Sequence, residues 1–438
     1  MKRTLILSLS VSLISFVGFS QNIDKTKLDA YLDTLANNNR FMGSVAVSQG
    51  DKLIYSKSVG FADVEQEIRA NENSKYRIGS ISKTFTAVLT LKAVEEKKLN
   101  LNQTIDKWFP TIGNADKITI EHLLRHRSGL HNFTDEWTRL NLHTQPKTEA
   151  EMIEIIIKSG NDFAPDEKMA YSNSNYILLT YILEKIYKKQ YSEILREKIV
   201  NPLGLKNTYL GGKINTQNGE CNSYIFSNKG WEHQAETDSS QALGAGAIVS
   251  TSTDLIKFSY ALFNGKLISG NSLLQMKTIQ DFYGMGLIQM PFYDKTGFGH
   301  TGGIDGFRSV FAYFPTGEIS FAQTSNGLNF NGNDISIAIL SAVYDKPFEI
   351  PKFTRLTDEE LDKYLGVYSS KQLPIKVTIT KVNKQLFAQG TGQPTFPLDA
   401  TAKDIFKSEA VQAILEFNPT DKTMILKQGG GVYNFERE

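Results

Sequence analysis

Residues 77–86 read Arg-Ile-Gly-Ser-Ile-Ser-Lys-Thr-Phe-Thr, and the rest of the chain is organised around this stretch. Ser80 and Lys83 stand three positions apart in it, and apolar residues follow at helical spacing between Phe85 and Val94. The spacing predicts that the pair lies on the first turn of a helix. Residues three apart share one helix face, so we expect the Lys83 amine within hydrogen-bonding reach of the Ser80 hydroxyl.

This predicted position gives the Ser80–Lys83 pair a chemical meaning. A serine hydroxyl becomes a strong nucleophile when a base takes its proton, and a lysine amine serves as that base when it is held partly neutral. The amino end of a helix also offers unpaired backbone N–H groups and the positive end of the helix dipole, which favour developing negative charge. The alternative interpretation is structural, with Ser80 as a helix cap and Lys83 solvated.

The composition is that of a soluble globular protein. The chain has 438 residues, of which 40% are hydrophobic and 22% charged, enough for one large domain or two. Met-Lys-Arg followed by an apolar run from Leu5 to Phe19 predicts a signal peptide over residues 1–20, and hence a periplasmic or extracellular protein. The run is too short to span a bilayer, so we expect no integral membrane segment after the signal is removed.

Charge and cysteine content exclude several kinds of partner and cofactor. Loss of Lys2 and Arg3 with the signal lowers the 48 basic residues to 46, against 47 acidic ones, which argues against nucleic acid and anionic membranes as partners. The single cysteine, Cys221, excludes an internal disulfide and a cysteine-rich metal site. His122 and His126 lie four apart without a third ligand in the pattern, so we expect neither a metal nor another cofactor.

Strand patterns occur near both ends of the first three quarters of the chain. Residues 43–48 and 52–60 alternate well enough to form a hairpin, and residues 307–313 and 318–323 flank a Pro-Thr-Gly turn that predicts a second one. The stretch between about 99 and 298 reads as mostly helical. Helices are predicted over 25–35, 118–125, 149–158, 175–188, 191–199, 253–262 and 334–344. This order predicts a mixed α/β domain, of the α+β type, whose terminal strands meet in one sheet.

The character of the sequence changes around two prolines, Pro347 and Pro351. Short alternating runs separated by turn residues follow them, a pattern typical of a small all-β module such as a barrel. We therefore expect residues 21–346 to form one large domain, 347–355 a linker and 356–438 a second, smaller domain.

A second candidate motif is Tyr171-Ser172-Asn173, directly before an apolar helical run. A tyrosine beside an ammonium group loses its proton more easily and can relay protons to a serine or a leaving group. Asn173 carries both a donor and an acceptor, which suits it to hold Lys83 and a substrate amide together. The structural alternative is that Tyr171 packs in the core and Asn173 caps the helix.

A third candidate is His300-Thr301-Gly302-Gly303, shortly before the second hairpin. Two glycines allow a ligand to approach the strand backbone closely, and the Gly303 N–H can join that of Ser80 in an oxyanion hole. His300 and Thr301 are candidates for orienting a substrate carboxylate. A strand that starts beside a glycine-rich turn is the structural alternative.

The three motifs together carry a family resemblance. They occur in the order and approximate separations of the penicillin-recognising serine hydrolases, and the chain resembles the branch that is similar to class C β-lactamases. Residues 123–130, 201–205 and 244–258 look like that branch as well. The resemblance covers about residues 25–345, and the tail from about residue 356 resembles a lipocalin-like module.

The resemblance implies a sheet flanked by helices plus a helical half, with the site in the cleft between them. It also implies roles for the motif residues. Ser80 is the acylating nucleophile, while Lys83 and Tyr171 share the proton transfer, and which of these two is the base stays open. Asn173 positions the substrate, and the backbone N–H groups of Ser80 and Gly303 form the oxyanion hole.

One departure from the branch bears on the substrate. Class C β-lactamases carry a lysine where this chain has His300, and a mostly neutral histidine holds a carboxylate more weakly. The resemblance therefore implies a secreted serine hydrolase that forms an acyl-enzyme with a small-molecule or peptide substrate. Peptidase or amidase action on D-amino-acid or cell-wall-like peptides ranks first, esterase second and β-lactamase third. A non-catalytic ligand-binding or sensor protein is the alternative from another class, and the sequence carries no prediction of oligomeric state.

Overall fold

The computed structural model describes residues 23–136, 143–354, 356–382, 384–408 and 411–438. The signal peptide predicted over residues 1–20 lies outside these ranges. Within them, no helix combines the length and the apolar character that crossing a membrane requires.

An antiparallel sheet at the centre of the molecule joins the two predicted hairpins. The first hairpin is Phe41–Gln49 with Lys52–Val59, and the second is Phe307–Phe314 with Ile319–Leu328. The two hairpins meet because Phe41–Gln49 pairs with Ile319–Leu328, which confirms that distant strands share one sheet. In spatial order the strands of this central sheet are Ile288–Phe292, Lys295–Ile304, Phe307–Phe314, Ile319–Leu328, Phe41–Gln49 and Lys52–Val59.

Alternation along the strand after the first helix sends side chains into two hydrophobic cores. Val45 and Val47 face a core that includes residues of the helices Lys25–Asn37 and Gly332–Val343. Ala46, between them, faces the larger core of the helical half. Each buried apolar side chain of valine size or more contributes roughly 1.5–3 kcal/mol, so burial on both faces fixes the register of the sheet.

The helical half lies between the two hairpins, and the helices predicted there are present. Thr148 and Glu151 show how the sequence starts one of them, because the Thr148 Oγ accepts the Glu151 N–H and the Glu151 carboxylate accepts the Thr148 N–H. The described α-helices are Lys25–Asn37, Ser82–Glu95, Ile120–Leu124, Glu149–Ser159, Asn173–Tyr187, Tyr191–Leu195, Asn201–Leu203, Ser239–Gly246, Ser252–Phe263, Gly270–Lys277, Gly332–Val343 and Asp358–Asp362.

The same half also contains short strands that the sequence analysis did not predict. Tyr224–Ser227 and Gly230–His233 form one hairpin, called the 224–233 hairpin below. It attaches to the central sheet through a single pairing, between Tyr224 and Gly327. Each of its strands has only four residues, so the alternation is too short to be distinguished from a loop sequence. The other short strands are Phe61–Asp63, Ile68–Arg69, Tyr76–Arg77, Tyr209–Leu210 and Ile248–Ser250.

The tail forms a closed barrel, as the alternating pattern predicts. Its strands are Gly366–Ser369, Lys376–Val382, Gln385–Gly390, Phe396–Ala402, Ile405–Ser408, Ala413–Asn418, Thr423–Gln428 and Gly431–Arg437. Pairing of Tyr368 with Arg437 closes it, and the inward side chains form a third hydrophobic core. The domain boundaries at residues 346 and 356 stay predictions.

Candidate active site

Glycines allow two backbone segments to meet beside Ser80. Gly79 has a φ of +51°, and a Cβ at that position would lie 2.6 Å from the Gly303 nitrogen. A Cβ at Gly302 would overlap the Ile78 carbonyl oxygen. Side chains do not tolerate such distances, so both positions require glycine. The serine-lysine stretch and the His-Thr-Gly stretch, far apart in sequence, are therefore adjacent in the folded chain.

Ser80 lies at the start of a helical segment, as the spacing of its motif predicts. It belongs to the 3₁₀ turn Gly79–Ile81, which leads directly into the helix Ser82–Glu95. Its Oγ lies 3.0 Å from the Lys83 Nζ and 2.8 Å from the Tyr171 hydroxyl oxygen. Two candidate catalytic side chains, Lys83 and Tyr171, thus converge on the Oγ of the third, Ser80.

Lys83 is fully buried, and three oxygen atoms surround its amine. The Nζ lies 2.7 Å from the Asn173 Oδ1 and 2.7 Å from the Ala245 carbonyl oxygen, in addition to the Ser80 Oγ. Two of these oxygens are carbonyls and only accept, so they use both hydrogens of a neutral amine and leave its lone pair for the Ser80 hydroxyl. Burial holds the pKa of Lys83 well below its ordinary value, which favours that neutral form.

Aromatic rings hold the Tyr171 phenol against Ser80. The Tyr171 ring lies 4.3 Å from the ring of His126, and the ring of Tyr283 stands edge-on to it at 6.2 Å. His126 is fully buried, and its Nδ1 accepts the Ser172 N–H at 3.1 Å. Burial raises the pKa of Tyr171 above its ordinary value, although 37% of the residue's surface is exposed, so the phenol keeps its proton and donates it to Ser80.

Asn173 is oriented by two residues that the sequence analysis missed. Its Nδ2 donates to the Asn132 Oδ1 at 3.2 Å and to the Thr134 Oγ1 at 3.0 Å, which turns its Oδ1 towards Lys83. Asn132 also accepts the Asn173 backbone N–H at 2.9 Å. Both residues follow the predicted helix over 118–125 in a stretch without periodicity, so no sequence signal marks them.

His300 is buried, with both ring nitrogens engaged by other groups of the protein. Its Nδ1 donates to the Thr301 carbonyl oxygen at 2.5 Å, and its Nε2 accepts from the Tyr283 hydroxyl at 2.8 Å. Burial lowers its pKa to about 4, so the ring is neutral at pH 7. These contacts do not support the predicted contact between His300 and a substrate carboxylate. Tyr283, which fixes the ring, was also missed by the sequence analysis.

Thr301 and Gly303, in contrast, are exposed at an edge of the central sheet. The neighbouring strand Ile288–Phe292 pairs with their strand only as far as Gly299, so the described sheet has no partner strand beyond that point on this side. Unpaired backbone groups at a sheet edge can pair with an extended ligand. The predicted substrate and oxyanion roles of Thr301, Gly302 and Gly303 stay predictions.

A cleft of about 510 Å³ opens beside Ser80. Among its described lining residues none is lysine or arginine, so the lining offers no permanent cation to a carboxylate. Its lining includes Ser80, Asn173, Ile225, Gln234, Ile304 and Asp305.

The acidic member of the lining, Asp305, belongs to an ion cluster behind the cleft wall. Its carboxylate accepts from the Thr237 hydroxyl at 2.6 Å and lies 3.5 Å from the buried Arg77 guanidinium, which also pairs with Glu236 at 2.9 Å. Burial raises the pKa of Asp305, while the Thr237 and Arg77 contacts oppose that rise. Arg308 also lies beside Asp305 and donates to its backbone carbonyl oxygen at 3.2 Å, so two arginines stand near these two carboxylates.

Comparison with known proteins gives the following matches. A family model described as Beta-lactamase matches residues 28–345. Penicillin-binding protein 4* of Bacillus subtilis strain 168 is 24% identical over 443 residues, covering 92% of this chain and 96% of that protein. Teichoic acid D-alanine hydrolase of Staphylococcus aureus strain MRSA252 is 30% identical over 277 residues, covering 61% of this chain and 66% of that protein.

Among solved structures, the D-amino acid amidase from Ochrobactrum anthropi SV3 in complex with L-phenylalanine amide is similar. It is 26% identical, with a TM-score of 0.65, and the superposition covers 73% of this chain and 98% of the amidase. The similarity thus extends over nearly the whole amidase and leaves about a quarter of this chain unmatched.

Proposed function

This chain belongs to the β-lactamase family and is a serine hydrolase related to penicillin-binding proteins, and on that premise we propose that Ser80 is the nucleophile of an acyl-enzyme mechanism. The observation that carries the proposal is the position of the Ser80 Oγ, 3.0 Å from the Lys83 Nζ and 2.8 Å from the Tyr171 hydroxyl. A nucleophile within reach of two proton-transfer groups is the arrangement that activates a serine.

We propose Lys83 as the base. The neutral amine takes the Ser80 proton as Oγ attacks the substrate carbonyl carbon, and the backbone N–H groups of Ser80 and Gly303 bind the resulting oxyanion. When the tetrahedral intermediate collapses, the bond to the leaving nitrogen or oxygen breaks, and that atom takes a proton from the Lys83–Tyr171 pair. A water molecule then attacks the acyl carbon and gives a proton to the same pair. The bond from that carbon to the Ser80 Oγ breaks, Oγ takes the proton from the pair, and the carboxylic acid is released.

We propose that the acyl donor is a D-aminoacyl amide or ester whose scissile group lacks a neighbouring free carboxylate. The described lining contains no lysine or arginine, and His300 is buried and neutral, so neither supplies a cation within the cleft; Arg308 lies beside Gly303, outside this lining. The names of the similar proteins, a teichoic acid D-alanine hydrolase and a D-amino acid amidase, support the same class.

This proposal refines the ranking made from the sequence. Amidase action stays first and esterase action second, because both kinds of substrate fit a cleft without a carboxylate-binding cation. Carboxypeptidase action on a peptide with a free D-amino-acid terminus moves lower. β-Lactamase action stays last, since penicillins carry a carboxylate beside the scissile ring.

We also propose that the protein acts outside the cytoplasm. The support is the pattern of residues 1–20, with two basic residues, an apolar run and small residues before position 21. Expression of the full chain in a bacterial host, followed by mass spectrometry of the secreted fraction, tests this. A protein beginning near Gln21 is the expected result, and retention of Met1 in the cytoplasm contradicts it.

A substrate panel tests the proposed specificity. We expect kcat/KM to be highest for D-phenylalanine amide and D-alanyl esters, at least tenfold lower for the L-amide, and lowest for a peptide ending in D-Ala-D-Ala and for a penicillin. The Ser80→Ala variant serves as the blank. Preference for the carboxylate-bearing substrates contradicts the proposed acyl donor while leaving the role of Ser80 intact.

A further inference from the structure

The 224–233 hairpin stands between the cleft and the C-terminal barrel. Ile225 and Gln234 line the cleft, and Ile225 is 45% exposed there. Consecutive residues of a strand point to opposite sides, so the next residue, Phe226, points away from the cleft. The hairpin therefore presents one side to the substrate space and the other to the rest of the molecule.

Phe226 packs against aromatic rings on that other side. Its ring stands edge-on to Trp231 of the same hairpin at 4.9 Å and stacks on Phe387 of the barrel at 6.4 Å, with an angle of 21° between the ring planes. Aromatic pairs at these separations attract each other beyond the effect of buried area. The barrel thus contributes directly to the packing behind one cleft wall.

Phe387 is placed for this contact by strand alternation. Its neighbours Leu386 and Ala388 belong to the barrel core, so Phe387 points out of the barrel. A large aromatic side chain on the outside of a barrel would be exposed in an isolated module, yet Phe387 is only 2% exposed. The first predicted domain, residues 21–346 (the hydrolase part below), covers it, and Phe226 is one of the residues in contact with it.

An ion pair joins the first part of the chain to the barrel strand Phe396–Ala402, which pairs with the strand of Phe387. Arg40, at the start of the central sheet, pairs with Asp399, and both side chains are largely buried. Within the barrel, Gln385 of the strand that carries Phe387 donates to the same carboxylate at 3.2 Å, and the Thr354 N–H of the predicted linker donates to the Ala400 carbonyl oxygen at 3.1 Å. These contacts surround Phe387 on neighbouring strands, so its position relative to the hairpin is defined.

The barrel interior is filled by its own side chains. The rings of Tyr364, Phe406 and Phe417 lie 4.8–5.5 Å from one another in the third hydrophobic core. A barrel packed in this way functions through its outer surface and not through a ligand in its interior. The outer surface facing the hydrolase part is the one that carries Phe387.

We propose that the C-terminal barrel positions one wall of the active-site cleft through the contact of Phe387 with Phe226. Phe226 and Phe387 are positioning residues, and Ile225 and Gln234 determine which substituents of an acyl donor or leaving group fit. The proposal rests on the proposed function of the cleft beside Ser80. It assigns the barrel a role in specificity and none in the proton transfers.

Hydrogen exchange of the full chain tests the coupling without any assay of activity. In Phe387→Ala we expect the amides of residues 224–233 to exchange roughly three- to tenfold faster, because the hairpin loses its support. The matched control is Val432→Ala, another outward position of the barrel, which is 55% exposed. Unchanged exchange of the hairpin in folded Phe387→Ala overturns the proposal.

Kinetics with substrates of two sizes test the consequence for specificity. For Phe387→Ala we expect KM to rise roughly three- to tenfold for the large substrate, an N-acylated D-phenylalanine p-nitroanilide. For the small substrate, p-nitrophenyl acetate, we expect KM to stay within about twofold, and likewise the rate of labelling by a fluorophosphonate. An equal change for both substrates overturns the proposal. If Phe387→Ala does not fold, Phe226→Leu in the hairpin takes its place with the same readouts. Absence of labelling in the wild type instead contradicts the proposed function, and the exchange experiment still decides on the coupling.

Discussion

The two walls of the cleft are held in different ways. On one wall Lys83 and His126 are fully buried, and hydrogen bonds from several segments fix the side chains around Ser80. On the other wall the 224–233 hairpin joins the sheet through one pairing and presents an exposed Ile225. On our proposals the chemistry therefore lies among fully buried side chains, while recognition lies on a short hairpin that rests partly on the barrel.

Removing the amine of Lys83 is expected to have the largest effect on activity. Lys83→Met keeps an unbranched side chain of similar length in the buried site, so the fold is expected to persist. We expect kcat/KM to fall roughly 10³-fold, since a positioned base contributes about 10²–10⁴-fold. Initial rates with D-phenylalanine amide measure this, with a thermal melt as the control for folding. A loss below tenfold contradicts the role of Lys83 as the base.

Removing only the hydroxyl of Tyr171 is expected to reduce activity less than the change at Lys83. Tyr171→Phe keeps the ring against His126, so the stack is preserved. We expect a roughly 10²-fold fall in kcat, because the leaving group loses one proton-transfer partner while Lys83 still activates Ser80. If instead Tyr171→Phe loses as much as Lys83→Met, and acylation by a fluorophosphonate also stops, Tyr171 is the base and the assignment made here is wrong.

The buried histidine of this wall predicts a pH dependence of stability. The pKa of His300 is lowered to about 4 in the folded chain, against about 6.5 in the unfolded chain. The unfolded state therefore binds the proton first as the pH falls, and stability is lost from about pH 6.5 downwards. The groups facing the ring are Tyr283, the Thr301 carbonyl and, more distantly, Lys83.

His300→Gln removes this contribution. Between pH 6.5 and pH 5 we expect the wild type to lose about 1.5 kcal/mol more free energy of unfolding than the variant does. Urea unfolding at a series of pH values measures the difference. Because the pKa of His126 is lowered in the same direction, the variant keeps part of the acid sensitivity. Parallel curves for the two proteins are the contradicting result.

Shortening the exposed Ile225 side chain is expected to have the smallest effect on activity. Ile225→Ala removes part of a half-exposed apolar surface, so KM for the large D-phenylalanine anilide is expected to rise roughly threefold with kcat unchanged. The matched control is Ile157→Ala, an isoleucine of similar exposure on the helix Glu149–Ser159. A hundredfold fall in kcat for Ile225→Ala contradicts the division between the two walls.

Local patterns made most of the fold predictable. The two sheet hairpins and the helix after Ser80 follow from alternation and spacing over fewer than twenty residues, and the barrel follows from repeated short alternating runs. The 224–233 hairpin could not be predicted in this way, because its strands have four residues each and show too short an alternation. It also packs against a barrel residue, Phe387, that lies far along the chain.

The candidate site was predictable in its motifs and not in its supporting contacts. Ser80, Lys83, Tyr171 and Asn173 come together, but Asn132 and Tyr283 lie in irregular stretches, and only the folded chain brings them to the site. The surroundings of His300 also depend on the folded chain, because the Tyr283 hydroxyl and the Thr301 carbonyl contact its two ring nitrogens. Alternation places His300 and Thr301 on opposite sides of one strand, and of the two only Thr301 is exposed.

Intact-protein mass spectrometry after incubation with a fluorophosphonate tests the central claim most directly. The mature wild type is expected to gain the mass of one phosphonyl group, mapped to Ser80 by peptide analysis, while folded Ser80→Ala gains none. A folded wild type without the adduct, or an equal adduct on Ser80→Ala, contradicts the assignment of Ser80 as the activated nucleophile.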